Sequence, residues 1–476
     1  MSSPPFCPKW GHPPVEAITF DHQLCASLHN KIFHIGWTAS APDRTLESCP
    51  QQTWWEYFSP SPEFANRLND GLVQFLKSAY FHPDAPEFFY FLNRLNYPKY
   101  LLDDGWVKNR EDGDDRYVLM YTATGFRSGD EMGLIFDQRT NKAAFVEDFD
   151  AMMPVLDYGY GWKALEDIIK GYLEMIEEGK VEPSSPDGAW TRRSHCDSIG
   201  PWRLHDFTQT DVQKGAQAFK RLINAIEARL PSREPSSPAS VQNRETFPLP
   251  WAELSTLDAA HIQRETFARA FCEETANLEL SVQYIAPGLR IPTVSELIPQ
   301  PHHESYSKKP WYATGNMRDM PVLLFIADDP AHSSNNATPK RDTWLYNDNR
   351  PIPAGVYTNT PGGMNQVFQN GCRLILPFRF GSSGWARLSN LEVFGKSSLD
   401  DDAKPEDVND ALYQPGYNAF TPVHSVQLHK VLSNWAERVE SGDWDVTEDG
   451  VAGGLDKFRE ADTEENWAKY WIPLTW

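Results

Sequence analysis

The chain of 476 residues lacks most of the short motifs that announce a chemistry. It has no G-x-x-x-x-G-K-[ST], so no ordinary phosphate-cradling P-loop, and no G-x-G-x-x-G behind a strand, so no ordinary dinucleotide fold. H-E-x-x-H and G-x-S-x-G are also missing; Gly381-Ser382-Ser383-Gly384 has the wrong spacing for a nucleophile elbow. Cysteine is scarce. Cys7, Cys25, Cys49, Cys196, Cys272 and Cys372 are scattered without C-x-x-C spacing, which excludes a local four-cysteine zinc site and suits reduced thiols. Long apolar runs are absent: Phe88 to Leu92 and Val322 to Ala327 fall far short of the roughly 20 residues that span a bilayer. The N-terminus has neither the basic start nor the apolar stretch of a secretory signal. No basic run exceeds Arg192-Arg193 or Lys308-Lys309, and the formal net charge is −22, which argues against nucleic acid as a partner. These absences predict a cytoplasmic, soluble protein whose partner is a small molecule, neither a membrane nor a nucleic acid. They say nothing of oligomeric state or cofactor.

Hydrophobic residues make up 40% of the chain and aromatics 13%, enough to bury a real core. The length suggests about two to four folding units. Helical signals dominate the first half. Ser61-Pro62 reads as a cap and first turn for a helix with apolar positions from Phe64 to Ala79. Asp84 and Glu87 read as a capping box before Phe88 to Leu95. Leu165, Ile168, Ile169, Tyr172, Leu173 and Ile176 fit one helix face, with Gly179 as the stop. Thr210 and Gln213 open another helix, and a further one spans about Leu257 to Thr275. Tyr117 to Thr124 reads as a strand, and Gly133 to Asp137 and Ala143 to Val146 as a hairpin. Further strands are expected at Val322 to Ile326, Gly355 to Thr358, Arg373 to Phe380 and Leu391 to Phe394, then a helix capped by Thr421. The predicted class is α+β: a helix-rich N-terminal half with a hairpin, and an antiparallel strand region in the C-terminal half. Region 1–230 would carry the hairpin at about 117–147. A mobile linker or loop is expected at 231–247, where the stretch from Pro231 to Glu245 is rich in Pro and Ser, and a mixed region at 248–476. Residues 400–466 carry 17 acidic and 5 basic side chains, an acidic tail that reads as solvated surface.

The densest polar cluster is Arg192-Arg193-Ser194-His195-Cys196-Asp197 with Trp202-Arg203-Leu204-His205-Asp206, in a stretch that reads as irregular between two helices. Loops held by rigid elements often carry sites. His195-x-Asp197 is the pair that opens the two-histidine, one-carboxylate triad and resembles that of non-haem iron oxygenases, which need a second histidine from elsewhere. His205-Asp206 is the simpler acid/base pair, since a carboxylate can orient an imidazole. The bland reading of the whole cluster is caps and surface ion pairs. Tyr158-Gly159-Tyr160-Gly161-Trp162 places rings between bendable glycines and reads as a pocket wall or as packing. Asp112-Gly113-Asp114-Asp115 matches D-x-D-D and is similar to the proton-donating motif of class II terpene cyclases; the resemblance implies an acid held protonated and aromatic faces around the cations it makes. Asp-Gly in a run of charges is equally a turn. Asp103 and Asp104 could hold magnesium-diphosphate, and His302-His303-Glu304 could reach a metal from a loop.

The leading expectation is a small-molecule biosynthetic enzyme, a cyclase or lyase acting on an apolar or aromatic metabolite by acid/base chemistry. His195, Asp197, His205 and Asp206 are its candidate catalytic residues. Tyr158, Tyr160, Trp162, Arg193, Trp202 and Arg203 are its candidate substrate contacts, with no metal. One alternative is a metal-dependent oxygenase using His195 and Asp197. Another is a non-catalytic binding or regulatory protein whose acidic tail contacts a basic partner.

Overall fold

The computed structural model describes residues 9, 16–102, 115–124, 131–148, 155–156, 161–184, 191–193, 196–231, 246–308, 317–328, 353–358, 368–379, 381–394, 411–421 and 424–476. The expected linker, 231–247, falls mostly outside them, as do residues 400–410 of the acidic tail. Among the described residues no helix is long and apolar enough to cross a membrane. The protein is α+β, and the chain divides into two compact units. The first is Pro14–His205 with Tyr417–Val423 and Thr475–Trp476; the second is mainly Asp206–Gly416 and His424–Leu474.

In the first unit, α1 (His22–Ser40) starts where the Asp21 carboxylate accepts from the Leu24 amide at 2.9 Å. Its buried face is Cys25, Ala26, His29, Ile32, Phe33, Gly36 and Trp37. Short helices α2 (Trp54–Phe58), α3 (Pro62–Ala65), α4 (Asp70–Leu76) and α5 (Pro98–Leu101) follow, and then α6 (Leu165–Glu177). The helix expected from Ser61 to Ala79 is broken, because the Asn69 side chain accepts from the Leu72 amide and so starts a new helix. Strands β1 (Leu92–Leu95), β2 (Tyr117–Ala123), β3 (Glu131–Asp137), β4 (Lys142–Asp148) and β5 (Lys163–Ala164) form an antiparallel sheet in chain order. The β3–β4 hairpin pairs Leu134 with Phe145 and Phe136 with Ala143. The helical reading of Phe88 to Leu95 is corrected: Leu92–Leu95 pairs with β2, so sheet pairing overrides the local capping signal.

A second correction concerns the stretch read as irregular. Strands β6 (Val181–Pro183), β7 (Thr191–Arg193), β8 (Cys196–Ile199) and β9 (Trp202–His205) form an antiparallel sheet of order β6-β9-β8-β7. Along β9, Trp202 and Leu204 are buried while Arg203 and His205 are partly exposed, the alternation of a half-buried strand.

The second unit opens with α7 (Gln209–Ala228), whose capping box joins Thr208 and Asp211, two residues before the expected Thr210 and Gln213. Helices α8 (Leu254–Ala259), α9 (Phe267–Thr275), α10 (Val294–Leu297), α11 (His303–Lys308), α12 (Leu428–Ser441) and α13 (Trp467–Tyr470) follow. Strands β10 (Phe247–Pro248) and β11 (Glu279–Leu280) pair antiparallel with each other, and a sheet of β12 (Tyr284–Ala286), β13 (Leu289–Arg290), β14 (Val322–Ala327), β15 (Gly355–Thr358), β16 (Cys372–Ile375), β17 (Ala411–Leu412), β18 (Val446–Thr447) and β19 (Gly450–Val451) has the order β17-β16-β15-β14-β13-β12-β19-β18. Its pairings are antiparallel except β12 with β19. The amphipathic helices α7 and α12 pack together, and Phe219, Leu222, Val431 and Trp435 enter one apolar core. Thr421 does not cap α12. The Val426 carbonyl accepts from the Cys372 amide at 2.8 Å and Gly371 bridges Gln427, so the chain stays extended there and the helix starts at Leu428. Leu391 to Phe394 is likewise no strand, only a bridge of Val393 with Arg387.

The glycine-serine loop noted in the sequence is an anion nest. Backbone amides of Gly381 and Ser383 donate to one oxygen of Asp462 at 2.9 and 2.7 Å, and those of Trp385 and Ala386 to the other at 2.9 Å. Gly381 and Gly384 take φ of 98° and 77°, which lets successive amides point inward. One carboxylate of the acidic stretch is thus an internal staple, not solvated surface.

Candidate functional site

The sequence-dense cluster is distributed as follows. His195, Tyr158 and Tyr160 lie outside the described residues. Arg193 and Asp197 sit on β7 and β8, where Arg193 pairs with Cys196 and Asp197 with Arg192 in register. Trp202 is fully buried, and its indole N–H donates to the Glu87 carbonyl at 2.9 Å. Trp162 stacks on Tyr117 with centroids 6.0 Å apart and donates to the Val155 carbonyl at 3.0 Å. Cross-strand pairing sets Glu182 opposite Arg203, and the exposed face of β9 brings His205 to the same carboxylate. Nε2 of His205 lies 3.2 Å from Glu182 Oε2, and the Arg203 guanidinium lies 4.0 Å from it. The carboxylate beside His205 is therefore Glu182. Asp206, buried, receives Gln369 Nε2 at 3.4 Å, with Arg318 at 3.9 Å.

The other motifs also separate. Asp115 pairs with Arg67 at 2.6 Å, while Asp103, Asp104, Asp112 and Asp114 fall outside the described residues. His302 is buried edge-on to Tyr357, and His303 stacks on His261 with centroids 3.8 Å apart. Burial, and then the His261 imidazole, lower the pKa of His303. Among the described residues no group of three or more His, Cys, Asp or Glu is placed to hold a metal ion.

A concavity of the first unit lies elsewhere. An open groove of about 850 Å³ runs along one face of α1. Gln23, Ser27, Asn30, Lys31, His34 and Thr38 supply its polar lining. Their spacing of three and four puts them on one stripe, about 22 Å long at 1.5 Å per residue. Ala26 and Ile35 add apolar surface, and Leu46, Ser78 and Tyr80 make the facing wall. That wall is clamped to α1. The Asn30 amide donates to the Ser78 carbonyl at 3.0 Å and accepts from the Tyr80 amide at 2.8 Å. His29, beneath the groove, donates from Nε2 to the Tyr80 carbonyl at 2.9 Å. Its Nδ1 then accepts from the Tyr121 hydroxyl at 2.8 Å, which fixes the tautomer. Burial pushes the His29 pKa down to about 4, so the ring is neutral near pH 7.

The polar groups above this clamp differ in commitment. Thr38 bonds back to its own helix, and Lys31 Nζ lies 3.1 Å from Glu177. Gln23, Ser27 and His34 make no side-chain hydrogen bond to another described residue. His34 lies 5.5 Å from the Tyr80 ring. An imidazole, an amide and a hydroxyl thus face solvent along a concave wall of a size that takes a small molecule.

Sequence reasoning missed this groove because it missed α1. The buried face includes His29 and Gly36, which interrupt the apolar period; the surviving signals are Asp21 as a cap and Cys25, Ile32, Phe33 and Trp37 at helical spacing. Comparison of the chain with protein-family models, with curated proteins and with solved structures finds no match.

Proposed function

We propose that this is a cytoplasmic protein that acts on a small metabolite, and that the groove along α1 receives it. The observation that carries the reading is the alignment of Gln23, Ser27 and His34, without a side-chain hydrogen bond to another described residue, along a wall clamped by Asn30 and His29. As an enzyme of acid/base type, in keeping with the cyclase or lyase expectation, the protein would use His34 to move the proton, with Gln23 and Ser27 orienting the substrate. Neither nucleic acid nor a membrane enters this reading.

A non-catalytic binding protein is the second reading. What favours it is that Lys31 is ion-paired and that the other titratable lining side chains are the His34 imidazole and the Tyr80 phenol, with no carboxylate among the described lining residues, whereas acid/base sites commonly set two groups of different kinds against each other. Ser27 is exposed, so Ser27→Trp fills the groove without entering the core. Saturation-transfer NMR against a mixture of small acids, alcohols and amines should show binding to the wild type that Ser27→Trp abolishes. Binding that survives Ser27→Trp unchanged, or no binding at all, would refute the proposal.

A further inference from the structure

We infer that the groove along α1 selects a small organic anion, a carboxylate or phosphate ester on a compact apolar body, and that Lys31 is its charge partner. The inference rests on the groove being a small-molecule site. The chain carries 66 acidic residues against 44 basic ones, yet no described lining residue is acidic. The side chains there that carry or can carry positive charge are Lys31 and His34, three residues apart on α1 and so neighbours on one face. In a protein with net charge −22, a concave wall with no carboxylate among its described lining residues is where an anion meets the least repulsion, and Lys31 is the cation within its reach.

Lys31 is available for exchange. Its ammonium lies 3.1 Å from Glu177, but the two side chains are 55% and 64% exposed. An ion pair that exposed is weak, because water screens it and two long side chains lose freedom to make it. An incoming anion therefore replaces Glu177 at little cost. His34 and Ser27 then offer hydrogen bonds beside the charge, and Ile35, Leu46 and Tyr80 meet the apolar body. The geometry also assigns Glu177 a function: it holds Lys31 in the empty groove and competes with the ligand.

Benzoate, phenyl phosphate, benzyl alcohol and benzylamine share one ring and differ in charge. Their dissociation constants for the full chain, measured by ligand-observed NMR, should place the two anions about five-fold or more below the alcohol, with the amine weakest. Whichever anion binds tighter names the headgroup. Lys31→Met should erase the anion preference and leave benzyl alcohol within about two-fold, while Glu177→Gln should tighten both anions by about two- to five-fold. Equal binding of alcohol and anions, lost in Ser27→Trp, would overturn the anion assignment and leave the small-molecule site standing. No binding by any of the four, or binding indifferent to Ser27→Trp, would overturn both. His34→Ala, at a partly exposed position, provides a second groove variant if Ser27→Trp fails to fold.

Discussion

The β9 edge and the outer face of α1 are both polar, and they differ in where their hydrogen bonds go. On β9, Arg203 and His205 converge on Glu182, so residues that stand close in sequence settle their charges with a strand partner. On α1, Gln23, Ser27 and His34 stand apart in sequence, gather on one face and make no side-chain hydrogen bond to another described residue. Density in the sequence thus marks a place where the fold pairs charges. On α1 the spacing of three and four leaves polar side chains side by side on one solvent-facing stripe. The Asp462 nest is the extreme of the first kind, with four amides on one carboxylate.

The largest effect is expected at that nest. Asp462→Ala leaves four backbone donors without their acceptor, those of Gly381 and Ala386 at buried positions, and should cost about 3 kcal/mol or more in urea denaturation. Asp462→Asn keeps one carbonyl oxygen and should fall between. A loss under about 0.5 kcal/mol for Asp462→Ala would show that these amides are satisfied by water and that the nest is no staple.

His29 gives the next effect, and its sign follows from the pKa. The folded-state value of about 4 lies below the unfolded value near 6.5, so the unfolded chain takes up a proton first. The stability that the neutral ring provides is complete above pH 6.5 and is lost as pH falls from 6.5 through 4. The loss amounts to about 3 kcal/mol at most. His29→Gln keeps a donor and an acceptor but does not titrate, so its stability should fall less than the wild type's between pH 7.5 and 4.5. Parallel pH profiles for the two proteins would contradict a buried, neutral His29.

These two groups also show what the sequence made legible. The stripe from Leu165 to Ile176 became α6 because every apolar position it uses is in fact buried or nearly so. The β2 to β4 meander was readable because its strands are seven residues long and rich in β-formers, with a polar turn between the last two. The sheet of β6 to β9 was not readable. Its strands are three or four residues long, too short to show alternation, and Arg192, Arg193 and His205 look like a loop. Thr421 and Asp84 were good local caps overruled by pairing elsewhere in the chain, a tertiary effect that no window of sequence contains. The groove required seeing α1, and a buried histidine and a glycine on its inner face hid the period.

A smaller effect is expected on β9. Glu182→Gln removes the carboxylate shared by Arg203 and His205, but the pair is partly exposed, and stability should change by about 1 kcal/mol or less. A larger loss would mean that the edge is a buried network and would narrow the contrast with α1.

The contrast itself is tested most directly by watching His34 and His205 in one experiment. Imidazole resonances of the full chain, assigned with His34→Ala and His205→Ala, can be followed while benzoate is added to millimolar concentration. The His34 signals should move in a saturable way while those of His205, engaged with Glu182, stay in place. Movement of His205 with His34 unmoved would return the site to the β9 cluster and contradict the assignment of the groove.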